Sequence, residues 1–284
     1  MSDTDRRVGQ LDPNGFNELQ FCRGGPMVYN RFDQFVGGSL SKYGEFSVGE
    51  QQMFRELVRL GHVVIEAGAN IGAHTVDLAR LVGAAGAVHA FEPQRIVFQT
   101  LCANLALNQL TNVFAYQAAL GAECASILVP PMDPSVPSNF GGVSLQGVAA
   151  GESVPLVAVD SLDLPACHFI KIDVEGMEVE VLRGATGTID IHRPVLYVEN
   201  DREERSEELL TLLFGLDYAV YWHLPLLFNP DNFAGVREDI FPLVRSANVL
   251  CVPSETKRAV VDLRRIASTK ETWRDVMRGV PKSA

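Results

Sequence analysis

The chain has 284 residues, 47% of them hydrophobic, enough for a sizeable core in one large domain or one domain with an appendage. Its 24 Lys and Arg against 35 Asp and Glu give a net charge of −11, which argues against a broad nucleic-acid footprint, since that needs a basic face to displace counterions. Five scattered cysteines (Cys22, Cys102, Cys124, Cys167, Cys251) contain no C-x-x-C and read as reduced thiols rather than a disulfide framework or zinc site.

The opening MSDTDRRVGQ is polar and lacks the apolar core of a signal peptide. No apolar run approaches the ~20 residues of a membrane helix, so the expectation is a soluble, cytoplasmic protein without a membrane span. Residues 1–45 show little periodicity and read as an N-terminal extension or cap. SVGEQQMFRELVRLG predicts a helix with Ser47 as N-cap, Glu50 completing a capping box and Gly61 as the stop. Met53, Phe54, Leu57 and Leu60 would form its apolar face.

From residue 63 strand and helix alternate. VVIEAG, AVHAFEP and VFAYQAAL read as strands, with AHTVDLARLVG and IVFQTLCANLALN as helices between them. The alternation breaks at residues 129–155, VPPMDPSVPSNFGGVSLQGVAAGESVP, where five prolines and four glycines exclude regular helix. That segment is expected to be a lid over an acceptor or an inert excursion. VPLVAVDSL is a strand that rejoins the sheet or adds a hairpin. HFIKIDVEG, RPVLYVEN, YAVYWHLP and ANVLCVP supply further strands, with MEVEVLRGA and REERSEELLTLLFG as helices. DLRRIASTKETWRDVMRGV reads as a docked or frayed helical tail within residues 257–284. The pattern is α/β: parallel βαβ units in a doubly wound, Rossmann-like sheet.

In such a sheet ligands sit beyond the carboxyl ends of the central strands. The first strand ends in Glu66-Ala67-Gly68-Ala69-Asn70-Ile71-Gly72, whose spacing departs from the G-x-G-x-x-G of dinucleotide binders. Glu66 stands where a pyrophosphate would rest and would repel it. Glu92, ending the second strand in HAFEP, is placed to bind both hydroxyls of a ribose. Two acids suit a nucleoside that carries cations and no phosphate, which is the chemistry of S-adenosylmethionine. The glycines alone would also fit a plain strand–helix turn.

VVIEAGANIGAHTVDLA, VHAFEP, FIKIDVEGMEVEVLRGA and PVLYVEN together resemble the FkbM family of S-adenosylmethionine-dependent methyltransferases, from about Tyr43 to about Pro253. KIDVEGME is the most family-specific block, and LFNPDNF a less specific one. The resemblance implies a seven-stranded class I methyltransferase sheet over residues 46–256 and methyl transfer to a hydroxyl of a sugar, glycan or natural product. It implies that Glu66, Gly68, Asn70 and Gly72, with Ala69 and Thr75 beside them, line the methionine end of the cofactor. Glu92 and Pro93 would hold the ribose, with Asp173 and Glu175 beside the reacting centre.

An alcohol nucleophile must lose its proton as the C–O bond forms, so a general base is expected. Asp173 and Glu175 are candidates, one for the cofactor amine and one for the proton; both could instead cap the following helix. His223 is a third candidate base, although a lone His in an aromatic strand is more often a packed or surface ring. Glu199 and Asn200 face the same crevice as acceptor ligands or helix caps. Phe140 in the 129–155 segment and Trp222 in YWHLPLLFNPDNF are candidate acceptor walls. His74 reads as structural, and Lys171 as an interior lysine that meets an acid. No His/Asp/Glu set has metal-ligand spacing along the chain, so no metal is expected. A small-molecule or glycan acceptor follows; oligomeric state is silent in the sequence. An NAD-dependent oxidoreductase keeps Glu92 but needs the phosphate site that Glu66 opposes. A cofactor-binding module without chemistry also fits.

Overall fold

The computed structural model describes residues 12, 14–256, 260 and 262–279. The polar opening and parts of the expected tail lie outside the described residues. A hairpin of β1 (Asn17–Cys22) and β2 (Gly25–Asn30) comes first, then helices α1 (Val36–Tyr43) and α2 (Val48–Leu57). The alternating region is β3 (Val63–Ala67), α3 (Thr75–Val82), β4 (Ala87–Phe91), α4 (Arg95–Leu107) and β5 (Val113–Tyr116). Three short strands follow: β6 (Ala119–Leu120), β7 (Ala125–Val129) and β8 (Glu152–Val157). The second half is β9 (Phe169–Ile172), α5 (Glu178–Arg183), α6 (Thr186–His192), β10 (Val195–Glu199), α7 (Glu203–Gly215), β11 (Tyr218–His223) and β12 (Asn248–Pro253). β13 (Arg264–Arg265) and α8 (Trp273–Gly279) close it.

The main sheet runs β13-β11-β12-β10-β9-β3-β4-β5. β5 through β10 are parallel in the order of the sheet, and β12 is inserted antiparallel between β10 and β11. This is the expected doubly wound class I arrangement, with an eighth strand, β13, added at the edge beyond β11. The chain turns outward in opposite directions from β3 and from β9. Their neighbouring tips are therefore the topological switch point where a ligand crevice opens.

Period-two alternation splits the strands between two cores. Ile65, Ile170, Leu196, Val198, Val220, Trp222 and Val249 pack under α5, α6 and α7 on one face. Val64, Val88, Phe169, Tyr197 and Leu250 pack under α2, α3 and α4 on the other. Burial of each such side chain is worth about 1.5–3 kcal/mol, so the sheet interior holds the strand tips rigidly.

Three local expectations change. Ser47 occupies the N-cap of α2, but its hydroxyl bonds the Glu50 carboxylate (2.7 Å) and no backbone N–H, so the capping box closes through side chains alone. The helix stops at Leu57, which leaves Leu60 79% exposed beyond its apolar face. VFAYQAAL divides between two sheets, because β6 joins β8 and β7 in a separate three-stranded sheet rather than extending β5.

The proline-rich excursion between β7 and β8 is tied down at several points. Ser138 N–H donates to the Phe32 carbonyl (3.0 Å) and Gln34 N–H to the Ser138 carbonyl (2.9 Å). Gln94 Nε2 donates to the Phe140 carbonyl (2.7 Å) and Gln146 Nε2 to the Gly176 carbonyl (2.6 Å). The N-terminal hairpin is clasped by fully buried Asn104 of α4. Its Nδ2 donates to the Val28 and Ile71 carbonyls (2.9 and 2.7 Å), and its Oδ1 accepts from the Val28 N–H (2.6 Å).

Candidate active site

Gly68, at φ +80°, carries the chain off β3 in a left-handed conformation that costs a side-chain-bearing residue about 1–2 kcal/mol. A Cβ here would also drive into the carbonyl oxygen of Asp173, so only glycine lets the β3 and β9 tips approach this closely. Around that contact lie two connected cavities. A narrow slot of 40 Å³ runs over Phe91, Glu92, Ala118 and Leu120 and is roofed by Gly141, Val143 and Leu145. A wider chamber of 330 Å³ extends past Asn70, His74, Lys171 and Glu199 to Phe35, Phe46, Leu227, Arg245 and Asn248. Gly68, Glu92, Gly141, Asp173 and Glu175 line both.

Glu92 is 4% exposed and accepts the Asn70 N–H at Oε2 (3.0 Å) and the Gln94 N–H at Oε1 (2.8 Å). Burial pushes its carboxyl up to about 7, against the pull of those two N–H groups. Each oxygen keeps a lone pair for a ligand hydroxyl.

Glu66 departs from its expected place. It is fully buried beneath the floor, takes the Thr75 hydroxyl at Oε2 (2.7 Å), and leaves Oε1 without a partner. Burial pushes its carboxyl up to about 7, partly offset by Lys171 and Thr75. The cause of its placement is register: Glu66 lies beside Lys171 in the parallel β3–β9 pair, so its side chain belongs to the sheet face rather than to the loop. Thr75 and Gly72 likewise sit off the cavity lining, whereas Gly68, Ala69, Asn70 and Pro93 are on it.

Lys171 is 2% exposed, with Nζ 3.1 Å from Asp173 Oδ2. Burial works against its charge, but Asp173, Glu66 and Glu50 outweigh that and hold it above the ordinary lysine value. Glu175, at φ +57°, bonds Arg202 Nη2 through Oε2 (2.9 Å). Burial, then repulsion from Asp173 and Asp201, pushes it up to about 7. Glu199 is displaced well above the carboxylate range by burial and by the neighbouring Asp173, Glu175 and Asp201. His74, packed against Phe46 and Phe54, is pushed down to about 3 by burial and by Lys171, so it is a neutral structural ring.

Four expected residues stand away from both cavities. His223 is bonded through Nδ1 to the Tyr197 hydroxyl (2.7 Å), and burial lowers its basicity. Trp222, one position earlier, faces the opposite core and donates its indole N–H to Glu271 (2.8 Å). Phe140 packs into the hairpin cluster with Met27, Val36 and Val97, and only its carbonyl turns toward Gln94. Asn200 is buried behind the β10 tip, its backbone N–H bonded to the Ala247 carbonyl (2.7 Å), while its neighbours Glu199 and Asp201 reach the chamber. Sequence reasoning did not single out Asn248, Arg245 or Ser246, which close the far wall of the chamber. They come from the end of an irregular stretch with no local motif.

The expectation of no metal rested on spacing along the chain. Folding brings Asp173, Glu175 and Glu199 together, with one carboxylate oxygen from each lying within 4.8 Å of the others. Among the described residues this is the set that could hold a metal ion. No described helix is long and apolar enough to cross a membrane.

Comparison with known proteins places residues 66–220 on the model of the methyltransferase FkbM domain. A curated relative, methyltransferase 1 of Beauveria bassiana (strain ARSEF 2860), is 29% identical over 144 residues, covering 43% of this chain and 57% of its own length. The structure of methyltransferase FkbM from Methylobacillus flagellatus KT is 19% identical with a TM-score of 0.45, covering 71% of this chain and 50% of that one. The O-methyltransferase TomG of Streptomyces achromogenes, solved with SAM, is 13% identical with a TM-score of 0.46, covering 73% of this chain and 81% of that one.

Proposed function

Because the chain belongs to the methyltransferase FkbM domain family, we propose that it transfers a methyl group from S-adenosylmethionine to a hydroxyl of a neutral small molecule or glycan. One observation carries the choice of cofactor. The lining of the slot brings Glu92, Asp173 and Glu175 and, among the described residues, no basic side chain. Such a wall repels diphosphates and favours a ligand with an ammonium and a sulfonium.

The residues present fit that cofactor. Glu92 offers lone pairs for the two ribose hydroxyls, and Phe91, Ala118 and Leu120 give an apolar bed for a purine. The backbone opened by Gly68 lies against Asp173, whose exposed carboxylate would take the amino group. The 141–145 segment overhangs the slot, so a purine would reach its bed past Gly141, Val143 and Leu145. S-adenosylmethionine supplies an activated methyl group, and the protein's task is alignment and field. Glu175 and Glu199 line the chamber with carboxyls held above the usual range, which suits a group that takes a proton near neutrality. The start of α1 with Phe35 and Phe46 on one side and Asn139, Gly141 and Gly142 of the excursion on the other would wall the acceptor, so its identity would be read in part by a segment that precedes the matched domain.

Calorimetry with S-adenosylhomocysteine and NAD tests the reading. Micromolar binding of the first and none of the second is expected; tight NAD binding alone would reverse the assignment to an oxidoreductase. Labelled S-adenosylmethionine with source extracts then separates enzyme from binding module, since a module would never label a product.

A further inference from the structure

The two edges of the main sheet are protected unequally. At one end β13 is only two residues long, and both, Arg264 and Arg265, are charged and exposed. Short, charged strands keep an edge from pairing with another chain. At the other end β5, Val113-Phe114-Ala115-Tyr116, carries no charge. Its inner side is satisfied by β4, with the Val88 and Glu92 N–H groups donating to the Asn112 and Tyr116 carbonyls (3.0 and 3.1 Å). By alternation Val113 and Ala115 turn their N–H and C=O groups outward, where they meet no backbone partner among the described residues.

The lack of charge reaches beyond the strand. Although 21% of the chain is charged, no Asp, Glu, Lys or Arg stands between Arg95 and Glu123, a span that holds nearly all of α4 and the whole of β5. Beyond Arg95, the exposed side chains of α4 are Gln99, Cys102, Ala106 and Leu107. The equally long α7 instead exposes Glu203, Glu204, Glu207 and Glu208. Beside α4, Phe114 stacks on His89 (ring centroids 5.1 Å apart) and is still 51% exposed. Depletion of charge around exposed aromatic and aliphatic groups is the composition of an interface core.

We propose that this edge is an interface with a second copy of the chain, in which β5 pairs antiparallel with its counterpart about a twofold axis at Phe114. Two observations select a second copy. Each chain carries a net charge of −11, so two copies meet most readily where that charge is absent, and β5 with α4 is such a face. The backbone pattern is also self-complementary. Val113 and Ala115 of one chain would bond Ala115 and Val113 of the other, which makes Phe114 and its counterpart a non-hydrogen-bonded pair about 4.5 Å apart at Cα. The exposed ring is then covered by its own copy. A different protein would be selected by its charge pattern, and this face has none to read. Assembly through β5 does not depend on the chemistry of the crevice.

Sedimentation velocity on the full chain, from about 1 to 100 µM, should show a species of twice the chain mass that dissociates on dilution. Phe114→Glu sets two carboxylates against each other at the axis and should weaken that species at least tenfold, with the far-UV circular dichroism of the parent. A second variant locks the pairing. In a Cys102→Ser, Cys124→Ser background, which removes the exposed thiols, Phe114→Cys should cross-link two chains under mild oxidation, since its Cα separation lies within disulfide reach. Thr111→Cys in the same background should not, because antiparallel pairing at Phe114 holds the two copies of residue 111 about 20 Å apart. A chain that stays monomeric at about 100 µM overturns the proposal and leaves the edge to another partner. So does a dimer that Phe114→Glu leaves unchanged, or one in which Phe114→Cys fails to cross-link.

Discussion

The two ends of the crevice are built on opposite principles. At the β3–β4 end the ligand-facing acid is already satisfied: Glu92 takes two backbone N–H groups, and the loop beneath it is fixed by Asn104 and by the Gly68 contact. At the β10–β12 end the polar groups are left short, with Glu199 Oε2 and Asn200 Nδ2 buried and unpartnered. A preorganised end suits a ligand common to a family, and an under-satisfied end suits groups completed only when a particular acceptor arrives.

Lys171 joins the two ends, and breaking it should give the largest effect. Replacing it by Met leaves Glu50, Glu66 and Asp173 around an empty cation position. Loss of one partner from a buried ionic group costs about 3–5 kcal/mol, so the urea midpoint should fall sharply at pH 8. The sign with pH follows from the acids: uncompensated, they hold protons more tightly folded than unfolded, so the defect should shrink as pH falls. A Lys171→Met protein as stable as the parent at pH 8 would show that the two ends are not electrostatically joined.

Gly68→Ala attacks the satisfied end alone. The left-handed backbone and the Asp173 carbonyl both oppose a Cβ, so the β3 and β9 tips must separate. A cost of about 2 kcal/mol and at least ~30-fold weaker S-adenosylhomocysteine binding are expected. Unchanged S-adenosylhomocysteine affinity would show that the close approach of the β3 and β9 tips does not shape the satisfied end.

How much of this was legible follows the same division. The first half of the sheet was readable because its signals are local: an apolar run, a glycine turn and a strand-tip acid lie within thirty residues of one another. Glu92 was found that way. The sequence places Glu66 at the strand end and aims it at the ligand, whereas period-two alternation from Ile65 turns it onto the sheet face beside Lys171. Trp222 and His223 were both offered to the site, but adjacent strand residues cannot face one chamber, and Trp222 went to the opposite core. Asn248 was invisible because its meaning comes from β10, 49 residues back, and is set by register alone.

The pH dependence of cofactor binding sharpens the comparison by about 1.4 kcal/mol per pH unit at most. Burial holds Glu92 protonated up to about pH 7, and a ribose hydroxyl pair needs it ionised. Binding then releases a proton below that point. S-adenosylhomocysteine should bind tighter by up to about tenfold per unit as pH rises toward 7, and level off above. Glu92→Gln should flatten that slope as well as weaken binding. A slope that survives Glu92→Gln would move the linkage to another acid of the slot.

The smallest effect expected is kinetic. The roof over the slot touches the ligand space through Val143 and Leu145 but is held from outside it, by Gln146 Nε2 on the Gly176 carbonyl and Gln94 Nε2 on the Phe140 carbonyl. Gln146→Ala removes one hydrogen bond worth about 0.5–1.5 kcal/mol from the closed state without touching the lining. Because the roof overlies the purine bed, the bond opposes entry as well as exit. Stopped-flow fluorescence should therefore show both association and dissociation of S-adenosylhomocysteine faster by roughly 2–10-fold, with the equilibrium constant shifted by less than about threefold. A change confined to dissociation would mean that the roof closes only on the ligand, and that the preorganisation of this end stops at Glu92.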